Sequence, residues 1–170
     1  DETVYMVTNA PVHKAGVIDS CLLILHDWSG FLSLTDSAIQ KERGVIREEW
    51  RTTQDAQSRL WEQQLPKMYP GSRYANRMPI GTIEVIENFK PEELRAYYRK
   101  WYRPDQQAII VVGDVDVDQV EATLKRTFAD VSAPVNPAKR EPMPVPDNDK
   151  PLVSIATDKE AANTTLYLFY

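Results

Sequence analysis

The sequence contains little cysteine, little histidine and no long apolar run. Its single cysteine, Cys21, excludes an internal disulfide, and its two histidines limit the metal sites that it could build alone. The longest apolar stretch, residues 17–25, is interrupted by Asp19 and Ser20. Because a helix that spans a bilayer needs roughly 20 apolar residues, the sequence predicts no membrane span.

Positive charge is also in deficit. The chain has 20 Lys and Arg against 25 Asp and Glu, which gives a formal net charge of -5. The basic residues are dispersed among the acidic ones, whereas nucleic-acid binding depends on clustered Lys and Arg that neutralise phosphates. We therefore predict no nucleic-acid partner. The residues that are present, 42% hydrophobic and 26% charged, are typical of a folded globular protein.

Apolar spacing predicts a mixture of helices and strands. Residues with helical spacing occur in four segments, 14–34, 35–64, 91–103 and 117–128. Alternating or continuous apolar residues predict strands at 5–9, 108–112, 152–156 and 165–170. The run at 108–112 is apolar throughout, which favours a strand buried on both faces. This order predicts an α+β fold in which helices are layered on a mostly antiparallel sheet.

A proline-rich stretch divides the chain. Six of the twelve prolines lie between Pro134 and Pro151, where large apolar residues are few, and this composition predicts a linker. We therefore expect residues 1–133 to belong to one domain, 134–151 to connect, and 152–170 to begin the next. The opening residues 1–5 have the composition of the middle of a strand, and the chain ends within the strand predicted at 165–170, which favours a piece of a longer polypeptide.

Two glutamates stand out in the second predicted helix. Glu42 and Glu49 are seven residues apart, so on a helix they lie on nearly the same line, two turns apart. Neither has a basic residue three or four positions away, whereas Glu48 has Arg51 at i+3. The apolar stripe that contains both glutamates predicts that they face the core. Its members are Ala38, Glu42, Val45, Ile46, Glu49, Thr53, Ala56 and Leu60.

A buried carboxylate without a partner is costly, so the pattern requires compensation. An arginine from elsewhere in the fold, a protonated carboxyl group or a bound cation would each supply it. Spacing alone favours a structural ion pair over a metal site. His13 and His26 do not complete a zinc site, because no H-x-x-E-H or H-E-x-x-H helix is present and catalytic zinc needs three protein ligands.

The glutamate segment resembles a known signature. Residues 41–49, K-E-R-G-V-I-R-E-E, are similar to the second motif of the M16 peptidases, the pitrilysin and insulinase family of inverzincins. Residues 79–86, P-I-G-T-I-E-V-I, resemble a loop of that family. Residues 94–105 resemble its following helix and Y-x-P turn, and residues 110–116 resemble its V-V-G-D strand. The ordered succession of these motifs is far more specific than any one of them.

The resemblance implies a LuxS/MPP-like metallohydrolase fold, here incomplete, and a zinc metalloendopeptidase as the parent protein. By that match Glu49 is a zinc ligand and Glu42 an accessory acid beside the metal. The two histidine ligands of the family belong to an H-x-x-E-H helix that would precede Asp1. We therefore expect this chain to bind zinc poorly and not to hydrolyse peptides by itself.

For the parent protein, the resemblance implies peptides or unfolded segments as substrates. It also implies a chamber formed with a second homologous domain or subunit, and a location in the bacterial periplasm or cell envelope. A non-catalytic family member, in which these helices serve assembly, is the main alternative. A small independent binding or scaffold module is a third interpretation, against which the mid-strand ends count.

Overall fold

A computed structural model describes residues 2–169 of the chain, and helices are its only regular secondary structure. The α-helices are α1 (Val17–Gly30), α2 (Asp36–Thr52), α3 (Ala56–Met68), α4 (Ile83–Asn88), α5 (Pro91–Trp101) and α6 (Val117–Thr127). Two short 3-10 helices lie at Arg73–Asn76 and Pro104–Gln106. No helix within residues 2–169 combines the length and apolarity that crossing a membrane requires.

The predicted α+β class with a mostly antiparallel sheet is wrong. Across residues 2–169 no strand is formed, and the segments predicted as strands at 5–9, 108–112, 152–156 and 165–169 are irregular. An alternating pattern describes where side chains would point, but a strand also needs the backbone of a neighbouring strand. Helices satisfy their hydrogen bonds within one segment, so only the helical part of the prediction is independent of distant partners.

The apolar run at 108–112 shows the consequence most clearly. We predicted a strand buried on both faces, but Ile110 is 82% exposed and Val112 is 91% exposed. Continuous apolar character indicates that a segment is suited to burial, and it does not identify what covers it. Residue 170 of the last predicted strand lies outside the described residues.

The long helix predicted over 35–64 is divided into α2 and α3. The hydroxyl groups of Thr52 and Thr53 donate to the carbonyl oxygens of Glu49 and Trp50, each at 2.9 Å, which competes with continuation of the helix. The Asp55 carboxylate then accepts a hydrogen bond from the Ser58 backbone N–H at 2.7 Å and caps the start of α3. The helix predicted from Pro91 is confirmed.

The described residues form two compact units. The first comprises residues up to Thr35 together with Lys90–Lys139, and it contains α1, α5 and α6. The Tyr98 hydroxyl of α5 donates to the Trp28 carbonyl at 2.8 Å, and Gln107 Nε2 donates to the Ser29 carbonyl at 2.7 Å. These bonds satisfy carbonyl groups at the end of α1 that have no partner inside the helix. Its buried residues are Leu22, His26, Tyr98, Arg103, Val120 and Thr123.

The second unit comprises Asp36–Phe89 and the residues from Arg140 onward, and it contains α2, α3 and α4. Arg59 of α3 forms a two-bond pair with Asp158, at 2.7 and 2.8 Å, and a further bond to Glu160 at 2.7 Å. The hydrogen bonds from Arg59 lower the pKa of Asp158 to about 2. This pair holds the segment after the proline-rich stretch against α3. The buried residues of the unit are Ile39, Leu65, Ser72 and Ile86.

Candidate functional site

Helix α2 carries both predicted site residues and presents two different faces. Its buried or half-buried side chains are Ile39, Arg43, Ile46 and Trp50, which follow the i, i+4, i+7 and i+11 spacing of one helix face. Seven residues correspond to almost two full turns, so Glu42 and Glu49 share a side of the helix to within about 20°. That side is exposed.

The prediction that Glu42 and Glu49 face the core is therefore wrong, although Ile46 of the predicted stripe lies on the packed face. Glu42 and Glu49 are exposed, and Val45 between them is 54% exposed. The packed face carries Arg43, which is half-buried. A guanidinium group packs inside a protein only where acceptors are arranged around it, and α4 supplies them.

Within residues 2–169, the carboxylates of Glu42 and Glu49 differ from that of Glu48 in their contacts. No hydrogen bond or ion pair joins the side chain of Glu42 or Glu49 to another residue in the part of the chain that the structure describes. Glu48, in contrast, accepts a hydrogen bond from Arg51 at 2.8 Å, and this bond lowers the pKa of Glu48. The structural ion pair that spacing favoured for Glu42 and Glu49 is not formed within residues 2–169, whereas Glu48 pairs with Arg51 at i+3.

Arg43 connects α2 to the end of α4. Its Nη1 donates to the Ile86 carbonyl, and its Nη2 donates to the Phe89 carbonyl at 2.7 Å. Its Nε donates to Gln40 Oε1 at 3.0 Å, and its guanidinium carbon lies 4.0 Å from the centre of the Phe89 ring. The sequence around Arg43 indicates no role for it beyond its place in the motif, because its partners are 43 and 46 residues away along the chain.

Neither histidine of the chain lies on α2. His13 is exposed in the segment before α1. His26 lies in the core of the first unit, with its Nδ1 3.1 Å from Asp27 Oδ1 and its Nε2 2.9 Å from Asp130 Oδ1. The His26 ring stacks on Phe31 with ring centres 4.3 Å apart. His26 is therefore a packing residue of the interior.

The fit to zinc can be judged from the donor atoms. Carboxylate oxygens are ordinary zinc ligands. Glu49 is exposed and pairs with no cation within residues 2–169, so it fits the role of one ligand. A catalytic zinc ion requires three protein ligands. Among residues 2–169, no group of three His, Cys, Asp or Glu side chains is arranged to hold a metal ion. The described residues thus supply one candidate ligand of an incomplete set.

Comparisons with known proteins agree with the motifs. A family model described as "Peptidase M16 inactive domain" matches residues 88–170. The chain is 31% identical over 170 residues to the "Probable zinc protease PqqL" of Escherichia coli strain K12, and 30% identical over 171 residues to the "Zinc protease PQQL-like" of Arabidopsis thaliana. Each alignment covers 100% of this chain, and the chain spans 18% of the length of each relative.

A solved structure supports the same assignment. The first half of the periplasmic protease PqqL from Escherichia coli matches with a TM-score of 0.73 and 30% sequence identity. The match covers 81% of this chain and 29% of that one. The sequence similarity extends over the whole chain and includes the glutamate helix, which lies outside the segment matched by the family model. On these grounds the chain belongs to the M16 peptidase family.

Proposed function

We propose that this chain is part of a zinc-dependent metalloendopeptidase in which Glu49 is a zinc ligand and Glu42 is an accessory acid. The observation that carries the proposal is the position of both carboxylates on one exposed side of α2, without a side-chain partner within residues 2–169. A structural ion pair would have given them partners, as it gives Arg51 to Glu48. The two relatives named as zinc proteases support the same chemistry.

The wider properties of the protein follow from this proposal. Its substrates are peptides or unfolded segments, and a second homologous M16 domain or subunit closes the site around them. Residues 1–133 belong to the first M16 domain, residues 134–151 form a linker, and residues 152–170 begin the following M16 domain. Because one similar solved structure is described as a periplasmic protease, we place the protein in the bacterial periplasm or cell envelope.

A direct test uses the complete polypeptide that contains this chain. Glu49→Gln should abolish stoichiometric zinc binding, measured by atomic absorption after dialysis, and should abolish cleavage of an unstructured peptide. Glu42→Gln should retain zinc but cleave slowly. Glu48→Gln is the matched control, since Glu48 is on the same helix and is already paired with Arg51. Zinc retention by Glu49→Gln at the wild-type level would refute the assignment.

A non-catalytic role is the second candidate, and one observation favours it. The family model that matches residues 88–170 is described as an inactive domain. In that case the helices would serve assembly with a partner domain. The same experiment separates the two functions, because a wild-type polypeptide that binds no zinc and cleaves no peptide would support the assembly role. The sequence immediately before Asp1 also discriminates, since an intact H-x-x-E-H motif there supports the peptidase.

A further inference from the structure

We propose that Arg43 is a positioning residue, which fixes the rotation of α2 so that Glu42 and Glu49 face away from the packed side of the helix. The inference rests on the proposed function and deepens it by assigning a role to the residue between the two glutamates. Successive residues of an α-helix are about 100° apart, so the direction of Glu42 is set once the neighbouring Arg43 is held.

Arg43 is held by every nitrogen of its guanidinium group. Nε donates to Gln40 Oε1 on its own helix at 3.0 Å, while Nη1 and Nη2 donate to the carbonyl oxygens of Ile86 and Phe89. Because the guanidinium is planar and its donors form a rigid fork, three simultaneous bonds fix the orientation of the side chain. A lysine ammonium at the same place is a point charge and cannot reproduce this geometry.

The Ile86 carbonyl belongs to the last turn of α4, where a helix has acceptors without intrahelical partners, and the Phe89 carbonyl belongs to the residue that follows the helix. A cation is favourable there because the carbonyl end of a helix carries partial negative charge. The Phe89 ring, 4.0 Å from the guanidinium carbon, covers the charge from one side. Since α4 has only six residues and short helices are marginal in water, its last turn depends on these contacts.

Apolar packing alone would not fix the rotation of α2 equally well. Ile39 is buried and Ile46 is half-buried on the same face as Arg43, but contacts between aliphatic side chains are not directional. Hydrogen bonds weaken steeply when their angle changes. A small rotation of α2 that the isoleucines would tolerate therefore breaks the bonds of Arg43. Arg43 therefore sets the direction of the two carboxylates through these directional bonds.

The experiment compares Arg43→Met, Arg43→Lys and Arg47→Met in the complete polypeptide. Arg47 is the matched control because it lies one turn further along α2. It lines one cavity together with Arg43, and its Nε lies 3.9 Å from Glu48 Oε1. The readouts are hydrogen exchange of the peptide covering residues 83–89 and the zinc dissociation constant from competition with a chromogenic chelator. Far-UV circular dichroism confirms that each variant is folded.

We expect Arg43→Met to exchange faster at 83–89 and to bind zinc about tenfold more weakly, a typical effect of losing outer-shell support of a ligand. Arg43→Lys should recover part of both effects, and Arg47→Met should match the wild type. A merely structural role would change the folded fraction without changing the zinc dissociation constant of the folded molecules.

Four results would overturn the inference. Wild-type zinc affinity in a folded Arg43→Met, unchanged exchange at 83–89, or an equal effect of Arg47→Met would each contradict positioning by Arg43. If both Arg43 variants lose their helical signal, Arg43 is a folding residue and the inference also fails. If the wild type itself binds no zinc, or if Glu49→Gln binds zinc normally, the proposed function fails. Hydrogen exchange still tests the role of Arg43 in that case, because unchanged exchange at 83–89 in Arg43→Met would overturn it independently.

Discussion

At the scale of single residues, the environment of His26 determines its protonation. Both ring nitrogens face carboxylate oxygens, Nδ1 at 3.1 Å from Asp27 and Nε2 at 2.9 Å from Asp130. An ionised carboxylate only accepts hydrogen bonds, and a neutral imidazole has one donor, so only the imidazolium can satisfy both contacts. Burial lowers the pKa of His26, but the hydrogen bonds to Asp130 and Asp27 outweigh it and the pKa is raised above 6.5.

This raised pKa predicts that stability depends on pH in a definite direction. The contribution of His26 is complete below 6.5, the ordinary value, and it is lost as the pH rises through the raised folded pKa. We therefore expect the contribution of His26 to the free energy of unfolding to be smaller at pH 9 than at pH 6. Urea unfolding at the two pH values measures the difference, and NMR titration of the imidazole gives the pKa.

Asp130→Asn should lower the pKa of His26 toward 6.5 and reduce this pH dependence, because an amide is uncharged. The matched control is His13→Gln, which removes the other, exposed histidine and simplifies the NMR assignment. It should leave both quantities unchanged. An imidazole pKa of His26 at or below 6.5 in the wild type would contradict the paired arrangement.

At the scale of elements, the sequence predicted where helices occur better than how they face. Pro91 marks the start of α5, and Glu93 Oε2 accepts a hydrogen bond from the Lys90 backbone N–H at 2.7 Å, both local signals. The rotation of α2 has no such signal. Arg43 resembles any surface cation until its acceptors at Ile86 and Phe89 are known, and they come from a distant segment.

The same reasoning explains the candidate site. The spacing of Glu42 and Glu49 on one side of a helix was predictable, because it depends only on helical geometry. Their exposure was not, since it depends on which face packs. The strand predictions were wrong for a related reason. A ladder of backbone hydrogen bonds requires a second strand, and no partner strand is present within residues 2–169.

Helix α1 offers a sharp test of the described packing. Leu22 is 2% exposed and its neighbour Leu23 is 54% exposed. Leu22→Ala should lower the free energy of unfolding by about 3 kcal/mol, because it removes buried methyl groups and leaves a cavity. Leu23→Ala, the control of identical chemistry, should change it by less than about 0.5 kcal/mol. Urea unfolding followed by circular dichroism measures both, and equal losses would show that α1 packs through a different face.

At the scale of the whole molecule, apolar side chains remain exposed in each unit. In the first unit they include Ile110 and Val112. In the second unit Ile155 and Leu166 are similarly exposed. All four lie in segments with strand-like sequences, and exposed apolar segments with unpaired backbone groups are templates for association with other chains. The chain by itself therefore combines folded helices with irregular segments that expose apolar side chains.

We predict that the isolated chain self-associates as its concentration rises, and that Val112→Lys and Leu166→Lys each reduce this association. The lysine removes exposed apolar surface and adds a charge that opposes edge pairing. Gln119→Lys is the control, because it adds the same charge at an exposed polar position of α6. Sedimentation velocity over a range of concentrations measures the association, and circular dichroism should show unchanged helix content. If Gln119→Lys reduces association as much as Val112→Lys does, net charge controls the association and the apolar segment does not. A wild-type chain that stays monomeric at every concentration would contradict the prediction altogether.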